Sequence, residues 1–159
     1  MRDLEHILNW RRINARLTTS GQPDADQLVE LRDLGTTHFV NLGLGHGEGA
    51  LIDEAERVAA LGMSYIQIPV DFEKPTDRNF EDFSLALQNN PEARMHVHCI
   101  YNARVSAFFY RYAKTGGEIS EDQASSIMES IWRPGDDWAA FIDRPEAKGA
   151  PNLYAGEDY

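Results

Sequence analysis

Short apolar runs alternate with longer amphipathic runs along this chain, and this alternation limits the possible folds more than any other feature. The pattern is typical of βα units, which build a mostly parallel sheet with helices packed against it. We therefore expect an α/β fold of three layers, with helices flanking a mostly parallel central sheet. The short runs predict strands at 17–22, 37–43, 64–70 and 94–99. The longer runs predict helices at about 24–34, 51–61, 79–88, 103–114 and 120–131, and one short helix within 132–142.

Local signals define several of these helices. Asp24 and Gln27 occupy the positions of a capping box, in which each side chain bonds the backbone N–H of the other residue. Gly35 follows the first helix, and glycine is common where a helix ends in a left-handed turn. Ser120 can cap the helix that it begins. In the helix at 51–61, the apolar residues at helical spacing are Leu51, Ile52, Ala55, Val58 and Ala59.

The domain organisation follows from length and composition. A chain of 159 residues can form one compact domain, and 42% apolar with 26% charged residues is an ordinary globular composition. We expect residues 1–142 to form a single domain. Residues 143–159 are rich in proline, glycine and acidic residues without a period, so we expect a tail that lies on the surface or is partly disordered.

Charge and cysteine content narrow the partners and the compartment. The formal net charge of -11 repels phosphate backbones and anionic lipid surfaces, so neither nucleic acid nor a membrane is an expected partner. Acids and arginines interrupt the apolar residues at the N-terminus, which fits neither a signal peptide nor a membrane span. One cysteine cannot form an internal disulfide, so a reducing cytoplasm fits best.

That cysteine, Cys99, ends a predicted strand and is followed by a short loop, Arg104 and a helix. A loop that runs from a strand into a helix N-terminus points backbone N–H groups at one spot, where an anion can bind. Such donors and a nearby cation favour the thiolate form of a cysteine. An arginine adds a planar group that holds two oxygens of a phosphate. The segment predicts a nucleophile in an anion site, with an inert buried thiol as the alternative.

The residues HC-IYNA-R, with a serine two positions after the arginine, resemble the active-site loop of the protein tyrosine phosphatase superfamily. The wider sequence resembles its bacterial dual-specificity-phosphatase-like family over about residues 13–142. The stretches that carry the resemblance are LTTSGQPDADQLVELRDLGTTHFVNL, DEAERVAALGMSYIQIPV, PTDRNFEDF and HVHCIYNARVSAFFYRY. The resemblance implies the three-layer cysteine-phosphatase fold, a bacterial source, and a phosphatase that uses neither a cofactor nor a metal.

The resemblance also implies a role for each residue of the loop. Cys99 would attack phosphorus, and Arg104 would bind the phosphate together with the loop backbone. The phosphate-binding loop would consist of Ile100, Tyr101, Asn102 and Ala103. His98 would orient this loop through a hydrogen bond, and Ser106 would support it. The glycine usual in such loops is absent, and Asn102 is the expected substitute, because asparagine tolerates left-handed backbone geometry better than other non-glycine residues.

A phosphatase of this kind also needs a general acid. Asp71 is the best match, because it follows the predicted strand 64–70, which would end at the same sheet edge as Cys99. Glu73 and Asp77 on the same loop are alternatives. In the implied mechanism the Cys99 thiolate attacks phosphorus and Asp71 protonates the leaving oxygen. Asp71 then acts as the base for the water that hydrolyses the cysteinyl-phosphate.

One departure from the family pattern leaves other functions open. Four residues lie between Cys99 and Arg104, where the phosphatase pattern has five. Rhodanese-type sulfurtransferases have a gap of four, and their loop holds a persulfide. Ser106 keeps the phosphatase spacing from Cys99, which favours the phosphatase. A phospho-ligand binding module with weak or no turnover is a third alternative.

Two further patterns predict no site. His96 and His98 form a His-x-His, but no third ligand has a metal-binding spacing. The glycine-rich segment 43–49 misses the third glycine of a dinucleotide-binding turn by one position, so we expect a mobile rim of the pocket.

Taken together with the resemblance, the sequence predicts a phosphatase for phosphomonoesters. The phosphate group would be aryl or phosphotyrosine-like, on a small molecule or a phosphoprotein. The sequence predicts no oligomeric state.

Overall fold

The computed structural model describes residues 3–144, 147 and 149–155 of the chain. The strands are β1 (Arg11–Arg12), β2 (Leu17–Ser20), β3 (His38–Asn41), β4 (Ser64–Gln67), β5 (Met95–His98), β6 (Trp132–Arg133) and β7 (Leu153–Tyr154). The helices are α1 (Ala25–Leu34), α2 (Glu54–Ala60), α3 (Asp77–Gln88), α4 (Ala103–Ala113), α5 (Glu121–Glu129) and α6 (Asp136–Phe141). Within these described residues, every helix is too short or too polar to cross a membrane.

Five strands form one sheet in the order β1-β2-β5-β3-β4, while β6 and β7 form a separate ribbon. The strands β2, β5, β3 and β4 run parallel, and β1 is antiparallel to β2. The last residues of the four parallel strands stand in one row, Ser20, His98, Asn41 and Gln67. The loop after the central strand β5 therefore opens at the middle of the carboxyl edge, which is where open α/β sheets bind ligands.

Helices cover both faces of the sheet, because successive residues of a strand point to opposite faces. On β3, Val40 belongs to the larger core cluster, which includes apolar residues of α3, α4, α5 and α6. Its neighbour Phe39 belongs to a second cluster with residues of α1, α2 and the N-terminal segment. Each fully buried side chain of this size stabilises the fold by about 1.5–3 kcal/mol. The expected α/β fold of three layers is confirmed.

The predicted capping signals are confirmed. The Asp24 side chain accepts from the Gln27 N–H, and the Gln27 side chain accepts from the Asp24 N–H, which completes the capping box of α1. Gly35 ends α1 with a φ of 110°. The Ser120 hydroxyl accepts from the Gln123 N–H at the start of α5. These short-range bonds explain why the helix ends were readable from sequence.

Helix α2 is shorter than predicted and presents a different face. The apolar spacing placed Ile52 and Ala55 on the buried face, yet Ile52 is 81% exposed and Ala55 is exposed as well. Glu54 and Val58 are the buried residues. Because polar side chains of the sheet bond the Glu54 carboxylate, this acid faces the sheet and Ile52 does not.

The segment 143–159 contains a strand that the sequence did not predict. In β7, Tyr154 pairs with Trp132 and Leu153 pairs with Arg133. The Tyr154 ring stacks on the Trp132 ring with centroids 5.8 Å apart. Two residues are too few for an alternating pattern, so sequence periodicity does not reveal such strands. Residues 145, 146, 148 and 156–159 of the predicted tail lie outside the described residues.

Candidate active site

Cys99 directly follows β5, and α4 begins four positions later at Ala103. The cysteine side chain is buried, and the thiol is free of any disulfide. Asn102 precedes the helix with a φ of 74° and a ψ of 5°, which confirms the left-handed geometry predicted for it. This residue turns the chain from the strand into the helix without a glycine, so the loop of residues 99–104, the cysteine loop, is very short.

The carbonyl groups of the cysteine loop are bonded by residues from the N-terminal part of the chain. Ile100 O accepts from the Gln22 N–H at 3.0 Å, and Tyr101 O accepts from Asn9 Nδ2 at 2.9 Å. Among the residues that the structure describes, none accepts a hydrogen bond from the amide N–H groups of residues 100–105. These amides are the free donors of a loop and a first helical turn, which is the arrangement that binds anions in proteins.

Two further contacts hold the loop in this shape. Asn102 Nδ2 donates to Asn9 O at 2.9 Å and to Thr19 Oγ1 at 3.1 Å, so the left-handed residue is tied to its surroundings. Gly21 permits the close approach of the N-terminal part, because a Cβ there would lie 2.6 Å from Ile100 O. A larger residue at position 21 would therefore displace the loop backbone.

Arg104 lies in the first turn of α4 and is 8% exposed. Its Nη1 donates to Val70 O at 2.8 Å, and its other guanidinium nitrogens make no hydrogen bond to any described residue. A cation in the first turn opposes the helix dipole, and a buried guanidinium with free donors is costly without an anion. The guanidinium is thus suited to bind an oxyanion beside the loop amides.

Asp71 is the first of the three predicted acids. It directly follows Val70, whose carbonyl accepts the hydrogen bond from Arg104. Asp71 is exposed, and its Oδ1 accepts from the Glu73 N–H at 2.9 Å. Glu73 is also exposed, beside α6. Asp77 forms an ion pair with Arg111 at 3.1 Å instead. Among the three acids, Asp71 is the one whose neighbour is bonded to Arg104.

His98 is fully buried and bonds on both sides of its ring. Its Nδ1 donates to Cys99 O at 3.0 Å, and its Nε2 lies 2.9 Å from Glu54 Oε2. The Glu54 carboxylate also accepts from Gln22 Nε2 at 2.6 Å and from Tyr65 Oη at 2.9 Å. The hydrogen bond from His98 to the loop has the form that the sequence predicted, while its buried carboxylate partner was not predicted.

Ser106 bonds two neighbouring parts of the fold. Its hydroxyl donates to Ala103 O at 2.9 Å and accepts from Trp132 Nε1 at 3.1 Å. Ser106 thus links α4 to the ribbon of β6 and β7.

The second histidine of the His-x-His, His96, is also buried. Thr18 Oγ1 lies 2.8 Å from Nδ1 and Ser20 Oγ lies 2.8 Å from Nε2, while the ring stacks on Trp10. Burial and the neighbouring His98 charge lower the pKa of His96 well below its usual range. Both ring nitrogens are occupied by hydroxyl groups, so His96 has a structural role.

An aromatic wall extends from the cysteine loop to the Asp71 loop. Tyr101 is the exposed residue of the cysteine loop, and its ring meets Tyr154 edge to face at 5.9 Å. The wall continues through Trp132 to Phe72, with centroids 5.6 Å apart, and then to Trp138. Trp138 Nε1 donates to Phe72 O at 2.8 Å, which fixes the residue after Asp71.

The sequence analysis missed Glu54 and Tyr154. Glu54 lay within a predicted amphipathic helix, where an acid is ordinarily solvated, and Tyr154 lay in the predicted tail.

The glycine-rich segment 43–49 is exposed from Leu44 to Gly49, and the Ile100 side chain lies against Gly49. The segment therefore borders the cysteine loop, which agrees with the predicted position at the rim of the pocket.

No protein-family model matches the chain, and no curated protein matches it by sequence. Solved structures match it over most of its length. A candidate phosphatase (DUF442) from Shewanella putrefaciens CN-32 is 28% identical, with a TM-score of 0.79 over 91% of this chain and 97% of that chain.

More distant structures share the fold. The core catalytic domain of the PP-IP phosphatase SIW14 from S. cerevisiae is 14% identical, with a TM-score of 0.66 over 86% of this chain and 85% of that chain. TpbA from P. aeruginosa, solved in complex with pTyr, is 18% identical, with a TM-score of 0.62 over 77% of this chain and 72% of that chain. These similarities support the expected resemblance to the dual-specificity-phosphatase-like family of the protein tyrosine phosphatase superfamily.

Proposed function

We propose that the protein is a cysteine-dependent phosphatase that hydrolyses phosphomonoesters. One observation carries this proposal: the residues after Cys99 combine free amides at positions 100–105 with the buried guanidinium of Arg104, whose Nη1 alone bonds a described residue. These donors suit a phosphoryl group, whose negative oxygens need several fixed hydrogen bonds as the charge on them redistributes. They also favour the thiolate that must attack.

The proposed reaction has two steps. The Cys99 thiolate forms a bond to phosphorus while the bond to the leaving oxygen breaks, and Asp71 gives its proton to that oxygen. Water then attacks the cysteinyl-phosphate and gives a proton to Asp71, and the sulfur–phosphorus bond breaks. Inorganic phosphate leaves, with the thiolate and the acid restored. The bond from Arg104 to Val70 supports this role for Asp71, since it holds the acid's neighbour at the site.

The short gap between Cys99 and Arg104 is compatible with this proposal. Asn102 adopts the left-handed geometry that lets α4 begin at Ala103, and this places Arg104 already in the first helical turn. From there its guanidinium is buried and bonds Val70 O, next in sequence to the proposed general acid, which supports a role at the site despite the missing residue.

The aromatic wall supports an aryl phosphate as the substrate. The Tyr101 ring is partly exposed beside the cysteine loop, and Tyr154 and Phe72 extend the wall around it. Rings of this kind stack on a flat aromatic group, and each such pair contributes about 0.5–1.5 kcal/mol. We therefore propose a phosphotyrosine-like group or another aryl phosphate, carried by a small molecule or a phosphoprotein.

The test is hydrolysis of p-nitrophenyl phosphate by the wild type, Cys99→Ser and Asp71→Asn, with EDTA and with or without vanadate. We expect vanadate-sensitive turnover that is lost in Cys99→Ser, and a loss of about 100-fold in Asp71→Asn. Asp77→Asn is the matched control, because Asp77 is paired with Arg111 and should leave turnover within about twofold.

Each alternative gives a different result. Conversion of thiosulfate with a persulfide mass on Cys99, and no phosphate release, would replace the proposal with sulfur transfer. Stabilisation by phosphate or vanadate without any turnover would replace it with a binding module. An Asp77→Asn variant that loses as much activity as Asp71→Asn would move the general acid to another residue of the loop.

A further inference from the structure

The buried ring of His98 faces two hydrogen-bond acceptors. Its Nδ1 lies 3.0 Å from Cys99 O, and a backbone carbonyl can only accept, so Nδ1 carries a proton. Its Nε2 lies 2.9 Å from Glu54 Oε2, and the two side chains are 0% and 4% exposed. The charge of the ring is therefore decided by whether Glu54 is ionised.

The surroundings of Glu54 favour the ionised carboxylate. Gln22 Nε2 donates to one oxygen, while Asn41 Nδ2 and Tyr65 Oη lie within 3.1 Å and 2.9 Å of the other. Burial by itself would raise the pKa of Glu54, but the bond and charge of His98, with the bonds from Gln22 and Tyr65, lower it below 4.5. An ionised carboxylate on Nε2 requires a proton there, so both ring nitrogens are protonated.

The other groups packed around this pair neutralise neither the charge on the His98 ring nor the charge on the Glu54 carboxylate. The ring of His96 is 6.4 Å from that of His98, and it is held neutral between hydroxyl groups in an apolar setting. Phe39 covers a further side of the His98 ring at 5.2 Å. The pair is thus a buried dipole that runs from α2 to β5, with its positive end against the peptide of Cys99.

We propose that Glu54 is a positioning residue for Cys99, because its carboxylate holds His98 as an imidazolium that anchors the Cys99 carbonyl and favours the thiolate. This inference deepens the proposed function, since it assumes that Cys99 is the nucleophile. It assigns a purpose to an acid that would otherwise be costly to bury, because an ion pair in the interior stabilises little by itself.

The first test measures the charge of His98 directly, in the unmodified protein. Two-bond ¹H–¹⁵N correlation spectra of the histidine rings at pH 7.5, assigned with His96→Asn and His98→Asn, report which ring nitrogens are protonated. We expect protons on both nitrogens of His98 and on one nitrogen of His96. A His98 ring with one bare nitrogen would overturn the inference, and this result needs no variant of Glu54.

The second test compares Glu54→Gln with Glu56→Gln, a matched change at an exposed acid of the same helix. Glutamine keeps the shape but loses the charge, so the ring of His98 becomes neutral while its Nδ1 bond can persist. We expect alkylation of Cys99 by iodoacetamide at pH 6 to slow by about fivefold in Glu54→Gln, and its midpoint to move to higher pH. Glu56→Gln should match the wild type.

The outcomes separate this inference from the proposed function. Slower alkylation in Glu54→Gln, without hydrolysis of p-nitrophenyl phosphate by the wild type, would retain the role of Glu54 and remove the phosphatase. Unchanged or faster alkylation with a neutral His98 ring would overturn the role of Glu54, whatever the turnover. If Glu54→Gln does not fold, the nitrogen spectra of the wild type decide.

Discussion

The cysteine loop and the glycine-rich segment 43–49 follow the neighbouring parallel strands β5 and β3 at the same sheet edge, yet they are built in opposite ways. The cysteine loop is mostly buried and tied to the N-terminal part of the chain through both Ile100 O and Tyr101 O. The glycine-rich segment is exposed over most of its length and has three glycines with positive φ. Distant segments thus hold the cysteine loop in one geometry, whereas the glycine-rich segment lies mostly in solvent.

The largest effect is expected from a methyl group added beside the cysteine loop, and the same change beside the glycine-rich segment serves as its control. In Gly21→Ala the new Cβ would lie 2.6 Å from Ile100 O, so the loop backbone must move. Displacement by about 1 Å can cost about 100-fold in rate, and we expect a loss of this size in kcat/KM for p-nitrophenyl phosphate.

The matched change in the other loop is Gly47→Ala, where nothing lies within 4 Å of the new Cβ. The positive φ of 93° costs about 1 kcal/mol of stability, measured by urea unfolding, while turnover should stay within about twofold. Equal losses of turnover in the two variants would contradict the contrast between the loops.

A smaller effect is expected from the left-handed residue of the cysteine loop. Asn102→Ala removes the bonds to Asn9 O and Thr19 Oγ1 and strains the backbone, so the free energy of unfolding should fall by about 2 kcal/mol. Asn102→Gly removes the same bonds without the strain and should cost about 1 kcal/mol. If Asn102→Gly lowers the free energy of unfolding in urea as much as Asn102→Ala does, backbone strain is absent from the alanine variant. The tolerance of asparagine for left-handed geometry would then not explain its presence at position 102.

The smallest expected effect is a loss of stability at acid pH, and it depends on His96 of β5, the strand that leads into the cysteine loop. Burial lowers the pKa of His96 below its usual 6.5, so the unfolded chain binds the proton first and stability falls as the pH drops below about 6.5. Between pH 7.5 and 5.5 the wild type should lose about 1.4 kcal/mol relative to His96→Asn. The same pH dependence of unfolding in the wild type and in His96→Asn would refute this assignment.

Much of the fold could be predicted from sequence because its signals are local. The four parallel strands and most helix ends follow from apolar runs, caps and glycines, as at Asp24 and Ser120. The two-residue strands β1, β6 and β7 carry no periodic pattern, so they were missed. The division of the chain after residue 142 stays a prediction.

The candidate site was predictable only where its residues are consecutive. Cys99 and Arg104 share one segment, so their spacing is visible in the sequence, and the geometry of Asn102 followed from its chemistry. Glu54 is brought to the site by partners on several different elements, at positions 22, 41, 65 and 98. Such a constellation exists only after the sheet is assembled, and an acid in an amphipathic helix gives no sign of it.

The long reach of the contacts that shape the cysteine loop bears on how the loop forms during folding. Asn9 bonds a carbonyl 92 positions later, and Tyr101 in turn contacts Tyr154, near the end of the described chain. The loop therefore has its full set of contacts only when segments from both sides of it in the sequence have come together. Local contacts alone therefore cannot assemble this loop, and its shape depends on closing long stretches of chain first.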